Sequence, residues 1–215
     1  AQLAKYGDIY IADHDWPIQR ELRHGNLRAT TLDEVKYLRT NFGNIYIESV
    51  RNLRGNTLFS EVEISQADKL TFTSKSTDFE IENVKDFRIA TSNDDINIDN
   101  AEMISIDGNL SKIDIYKLGS AGRIDLNYGK VRIKKVSKEV CTFDAISNRT
   151  TFDIGFDQGA SFKIEGMTDD TPFSSNNSLS NITADGLSID GYYGDKSAAT
   201  CLYSFNCQKS KIYFR

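Results

Sequence analysis

The 215-residue chain is poor in the side chains that most catalytic and metal sites are built from: it has 2 His, 3 Cys, 2 Met, 1 Trp and 2 Pro. Histidine is the commonest general base near neutral pH and a principal zinc ligand, so its scarcity weighs against His-dependent hydrolases and zinc centres. Positive charge is also in deficit. Lys and Arg number 26 against 31 Asp and Glu, a net charge of −5, with a sequence pI near 5.1. That balance argues against a polyanion-binding surface, and no nucleic-acid partner is expected. No run approaches the ~18 consecutive apolar residues of a membrane-spanning helix, and the mean hydropathy is −0.45. Three cysteines, Cys141, Cys201 and Cys207, are too few for a disulfide framework. Cys201 and Cys207 lie in one alternating run, where a strand holds them roughly 20 Å apart, too far to bridge each other. All three therefore read as small buried apolar residues.

What the chain does have is repetition. A polar-apolar-polar-apolar unit recurs as Asp8-Ile9-Tyr10-Ile11, Asn26-Leu27-Arg28-Ala29, Asn44-Ile45-Tyr46-Ile47 and Glu61-Val62-Glu63-Ile64. It continues as Asp78-Phe79-Glu80-Ile81, Asp95-Ile96-Asn97-Ile98, Lys112-Ile113-Asp114-Ile115, Lys130-Val131-Arg132-Ile133 and Thr151-Phe152-Asp153-Ile154. The steps between successive units are 18, 18, 17, 17, 17, 17, 18 and 21 residues. Three residues after six of these units comes another apolar or small side chain: Val50, Ala67, Val84, Ala101, Leu118 and Val136. Period-two alternation marks a strand, and the extra residue marks a bend that keeps the next inward side chain facing the core. A second alternating run follows, as in Leu70-Thr71-Phe72 and Phe87-Arg88-Ile89.

Ile, Val, Phe, Tyr and Thr in the runs, with Asn, Asp, Gly and Ser between them, favour strand over helix. The near-constant coil length separates a parallel β-solenoid from an antiparallel sandwich, because each coil stacks on the last and repeats the same inward positions. The chain is therefore expected to be all-β, one solenoid domain over 1–215. Regular coils run over about 6–166, a long polar loop over about 167–190, and terminal coils with a cap over about 191–215. Trp16-Pro17 fits a corner excursion. The Gly191-Tyr192-Tyr193-Gly194 stretch fits a cover over the open end of the stack, which would otherwise be a bare edge.

The aromatic-Gly-polar-Ile/Val-x-Ile element, seen as YGDIYI at 6–11, FGNIYI at 42–47 and NYGKVRI at 127–133, resembles the bacterial adhesin family of exported β-solenoids common in Bacteroidetes. The stretch NYGKVRIKKV and the segment TTFDIGFDQGASFKIEG at 150–166 are similar to the late coils of that family. The resemblance implies a single-stranded right-handed parallel β-helix, signal-directed export and a surface or adhesion role. It carries no catalytic residues. An export signal removed before Ala1-Gln2 is expected on the same reading, with a location in the periplasm, on the outer-membrane surface or outside the cell.

Candidate chemistry follows from the stacking. The outward column Tyr10, Arg28, Tyr46, Glu63, Glu80, Asn97, Asp114, Arg132, Asp153 places Arg28 between two tyrosines on rungs ~4.8 Å apart, within reach for cation–π contact. An aromatic-plus-arginine patch on a flat sheet suits a glycan or a host or matrix protein, so Tyr10, Arg28 and Tyr46 are the expected ligand-binding residues. Asp94, Asp95 and Asp99, with Asp107 near them, are the best acidic concentration and the weak candidates for a metal or an acid catalyst. Corner Asp and Asn residues more commonly close Asx turns, so neither a metal nor a cofactor is expected. His14 and His24 read as isolated surface residues. The sequons at Asn109, Asn148, Asn176 and Asn181 carry weight only in a eukaryotic secretory host. The residues thus point to a non-enzymatic exported adhesin-like module. The alternatives are a carbohydrate-active β-helix enzyme, either a polysaccharide lyase or a hydrolase, and a structural spacer or assembly subunit.

Overall fold

A computed structural model describes residues 2–4, 7–14, 18–175 and 181–215, with the backbone alone at residues 2–4, 14 and 18. Tyr6, Trp16, Pro17 and Asn176 lie outside the described residues. The described chain is all-β, and its parallel strands stack as a solenoid. The first strands are β1 (Gln2–Ala4), β2 (Ile9–His14) and β3 (Ile18–Arg23). The regular body follows as β4 (Leu27–Asn41), β5 (Asn44–Leu58), β6 (Glu61–Lys75), β7 (Asp78–Ser92), β8 (Asp95–Asn109) and β9 (Lys112–Asn127). Then come β10 (Lys130–Val136), β11 (Thr142–Asn148), β12 (Thr151–Phe156) and β13 (Phe162–Asp169). The last are β14 (Phe173–Ser175), β15 (Asn181–Ala184), β16 (Ser188–Tyr193), β17 (Cys201–Gln208) and β18 (Lys211–Phe214).

Each long strand is one bent coil. In β5 the buried positions are Ile45, Ile47, Val50, Leu53, Gly55 and Thr57, with two consecutive outward residues at 48–49 and again at 51–52. Those two doublets are the bends, and the coil closes at a third corner, where a non-glycine residue takes the left-handed conformation in every turn: Phe42, Phe59, Ser76, Asn93, Leu110 and Tyr128. The strain of that conformation is offset by ladder bonds, since the N–H groups of Phe42 and Phe59 each bond 3.0 Å to the next rung, at the carbonyls of Leu58 and Lys75.

The inward columns carry the core. Leu27, Ile45, Val62, Phe79, Ile96, Ile113 and Val131 stack as one column, and Ile47, Ile64, Ile81, Ile98, Ile115 and Ile133 as the next, all buried. Volume is conserved between rungs. Gly55 sits beside the Phe72 ring, where a Cβ would come within 2.4 Å of it, and Gly122 lies similarly against Phe143.

A third inward column is polar: Gly43, Ser60, Thr77, Asp94, Ser111, Gly129, Thr150, Ser210 and Thr171, each directly after a left-handed corner residue where the corner is described. Ser111 Oγ donates to the Asn109 carbonyl two residues back (3.0 Å) and accepts the Asp94 N–H of the preceding rung (3.1 Å). Ser210 repeats this with the Gln208 carbonyl (2.9 Å) and the Thr150 N–H (3.1 Å). One hydroxyl thus satisfies two backbone groups that the tight corner leaves unpaired.

The C-terminal order departs from the sequence expectation of coils stacked in chain order. β17 inserts between β11 and β13, in full register with β11 from Thr142↔Leu202 to Asn148↔Gln208. β18 inserts between β12 and β14. After β12 the loop 157–161 lifts the chain one extra level, which leaves a slot that the last fifteen residues fill. Aromatic packing holds the insertion. The Tyr203 ring stacks on Phe162 (3.9 Å between centroids), and its hydroxyl donates to the Val140 carbonyl (3.2 Å).

The expected loop over 167–190 is also corrected. It contains β14, β15 and the start of β16; β16 lies antiparallel on β13 and β15 antiparallel on β16, ending the parallel stack. Tyr193 in that cover is buried.

The cysteines differ from expectation too. Cys201 and Cys207 are not bridged to each other, as their spacing requires, and Cys207 is free and buried, but Cys201 forms a disulfide with Cys141, tying the inserted β17 to the coil below it. A pairing sixty residues apart leaves no local spacing to read.

Candidate binding groove on the outer face

Tyr10, Arg28 and Tyr46 stand on β2, β4 and β5, in register through Tyr10↔Arg28 and Arg28↔Tyr46. They line a shallow groove of about 440 Å³ whose rim adds Thr30, Glu48 and Glu63. The hollow exists because Ala12, Thr30 and Ser65 are short where the neighbouring column is long. The Arg28 guanidinium carbon lies 4.6 Å from the centre of the Tyr46 ring. Tyr10 is 71% exposed.

Tyr46 is held in place. Its hydroxyl donates to Glu61 Oε2 (3.1 Å) and accepts from Asn44 Nδ2 (3.0 Å). Burial, then the Glu61 hydrogen bond, raise the phenol above its ordinary value, so it stays neutral and a donor. Behind this column an amide ladder fixes the rungs: Asp8 Oδ1 accepts from Asn26 N (3.1 Å) and Nδ2 (2.8 Å), and Asn26 Oδ1 accepts from Asn44 N (3.1 Å). Asn26, Asn44 and Glu61 were not singled out from sequence. The signal was available, since each sits two residues before a column member.

The three aspartates do not converge. Asp94 points inward and is buried. One carboxylate oxygen accepts the Thr77 N–H (2.8 Å), and the other accepts the Ser92 N–H (3.2 Å), the Thr91 hydroxyl (2.5 Å) and the Ser74 hydroxyl. Asp95 points outward and pairs with Lys112 at 2.8 Å. Asp99 is exposed in the first bend, level with Glu82 of the preceding rung. Among the described residues no group of three His, Cys, Asp or Glu is placed to hold a metal ion. His24 stacks on Phe42 (5.2 Å) and Phe42 on Phe59 (5.3 Å), an exposed ring ladder along the left-handed corner.

The disulfide aside, the remaining surface order is electrostatic. At the second bend Asp33 pairs with Arg51 (2.6 Å) and Asp68 with Lys85 (2.8 Å), alternating charges that stitch neighbouring rungs. Such exposed pairs each contribute little to stability, because water screens them. No helix of the described residues is long and apolar enough to cross a membrane. Comparison with family models, with curated proteins and with solved structures finds no match to this chain.

Proposed function

We propose that the protein is an exported, adhesin-like binding module without catalytic function, whose ligand is a glycan or an extracellular matrix protein held along Tyr10, Arg28 and Tyr46. The observation that carries this reading is the groove itself: an exposed tyrosine, an arginine stacked on a second tyrosine, and flanking carboxylates from Glu48 and Glu63. Aromatic faces take the apolar faces of sugar rings, and Arg and Glu supply the directional hydrogen bonds that fix a hydroxylated ligand. Arginine and tyrosine anchors serve a protein partner equally well. The Cys141–Cys201 disulfide supports export, since such bonds persist in oxidising compartments. The sequence resemblance to exported bacterial adhesin solenoids supports the same assignment.

The test is a printed panel of glycans and matrix proteins probed with the labelled wild-type chain and with Tyr10→Ala and Tyr46→Ala. Retained binding to at least one class, reduced tenfold or more in both variants, is the expected result. Unchanged binding by both variants removes the groove from the proposal.

A further inference from the structure

The outer face that carries the groove also has its charges sorted into rows. On β7 the outward residues Asp78, Glu80 and Glu82 form one acidic row. On β10 Lys130, Arg132 and Lys134 form one basic row at the equivalent positions. Between them lie β8, with Asp95, Asn97 and Asp99, and β9, with Lys112, Asp114 and Tyr116. The two rows are three rungs apart, roughly 14 Å at ~4.8 Å per rung, beyond direct pairing within one chain. Among the described residues Asp78, Glu80, Glu82, Lys130 and Lys134 have no ion-pair partner; Glu80 accepts from Asn97 Nδ2 (2.8 Å), Lys134 lies 5.3 Å from the centre of the Tyr116 ring, and Arg132 reaches Asp114 at 3.5 Å. A flat face with rows of opposite sign at matching positions is self-complementary for one symmetry operation.

We propose that this face docks on a second copy of the same chain, through a two-fold axis parallel to the strands and lying between β8 and β9, so that the two solenoids run antiparallel. That operation reverses rung order and keeps each column opposite itself. Asp78 then faces Lys130 of the second copy, Glu80 faces Arg132, Glu82 faces Lys134, and Asp95 faces Lys112. Farther out, Glu48 faces Arg215. Each contact occurs twice. A two-fold axis along the stack instead sets the acidic row on itself, so charge selects one of the two possible face-to-face arrangements. One mismatch remains, Glu63 opposite Asp153, and it is relieved because Arg215 pairs with Asp153 at 2.6 Å within the same chain.

The face is about five residues wide and eight rungs long, from β5 to β18, or roughly 600 Å² per copy, so about 1,200 Å² in all, the lower bound for a specific interface; it covers the Tyr46 end of the groove, so a second copy and a groove ligand compete for that end. The contact is polar and exposed, so the association is reversible and weakens roughly tenfold or more between 50 and 500 mM salt.

The test measures mass by sedimentation equilibrium at about 100 µM in low salt. The wild-type chain is expected to approach twice its 24.2 kDa and to return to one copy in high salt. An acid-to-base variant (Asp78→Lys, Glu80→Lys, Glu82→Lys) and a base-to-acid variant (Lys130→Glu, Arg132→Glu, Lys134→Glu) should each stay at one copy. Their equimolar mixture should form the two-copy species, since both rows then meet opposite charge again. All six substitutions are on exposed or half-buried positions, and circular dichroism checks that both variants fold. A wild-type chain that stays at one copy, an association that either reversal leaves unchanged, or a folded mixture that fails to associate overturns the proposal.

Discussion

Asp94 gives the sharpest test of how the corners are held. Replacing it by alanine removes the acceptors of the Thr77 and Ser92 N–H groups and of the Ser74 and Thr91 hydroxyls. Thr91 Oγ1 keeps a partial alternative, since it also lies 2.9 Å from Ser111 Oγ. The Thr77 N–H and the Ser74 hydroxyl do not. Each buried unsatisfied group costs about 1–3 kcal/mol, so Asp94→Ala should lose about 3–5 kcal/mol once the small cavity is added. For a domain of this size that is a fall in Tm of roughly 10 °C. Asp94→Ser should recover much of the loss, because serine is what Ser60, Ser111 and Ser210 place at the same level of other rungs. In the latter two cases it accepts the preceding rung's N–H. Scanning calorimetry of the two variants beside wild type is the assay. An alanine variant within 1 kcal/mol of wild type, or a serine variant no better than alanine, would refute the account of the corners.

Other outcomes follow from the same packing. Ile98 is 2% exposed in the middle of the stack, and Ile98→Asp should abolish the cooperative melt or lower it by more than about 10 °C, because an unpaired charge has no compensation there. Burial pushes the Cys207 thiol up to about 11, partly opposed by a hydrogen bond with Ser147. The unfolded thiol ionises first, near pH 8.5, so the stability of the buried neutral form is intact below that pH and is lost as pH rises toward 11. Urea midpoints between pH 8 and 10.5 should therefore fall more steeply in wild type than in Cys207→Ala. Equal slopes would contradict the assignment. Removing the disulfide by Cys141→Ser with Cys201→Ser opens a loop of sixty residues, worth about 4 kcal/mol on chain-entropy grounds. Limited proteolysis should then cut first in the link 194–200 ahead of β17; cleavage within β5–β8 instead would contradict it.

The body of the solenoid is legible in the sequence because each coil repeats one instruction. Ile45, Val62, Phe79 and Ile96 are buried for the same reason at the same step, so local alternation and the 17–18-residue period together specify the stack. The groove is legible on the same grounds, since Tyr10, Arg28 and Tyr46 share one column. The C-terminal order is not. Lys211-Ile212-Tyr213-Phe214 has the form of a rung, but the inward pattern is the same at every level and cannot say which level it occupies. That choice is made by long-range partners, the Tyr203–Phe162 stack and the Cys141–Cys201 bond. Asp94 misleads for a related reason: its column holds Ser60, Thr77 and Ser111 at steps of 17, and only that comparison shows it facing inward as a hydroxyl substitute rather than outward as a ligand.

The groove and the charged rows both depend on the order of rungs along one face, and that order can be measured directly. Pulsed electron spin resonance on nitroxide pairs at Glu63→Cys with Asp153→Cys, and at Glu63→Cys with Tyr213→Cys, reads it in 0.5 M salt, where copies are apart. Asp153 is five rungs from Glu63 and Tyr213 is six. At ~4.8 Å per rung the expected separations are about 24 and 29 Å. A Tyr213 distance near 34 Å or beyond would place the last strand after β14 rather than below it, and a Tyr213 distance shorter than that to Asp153 would break the stacking order altogether.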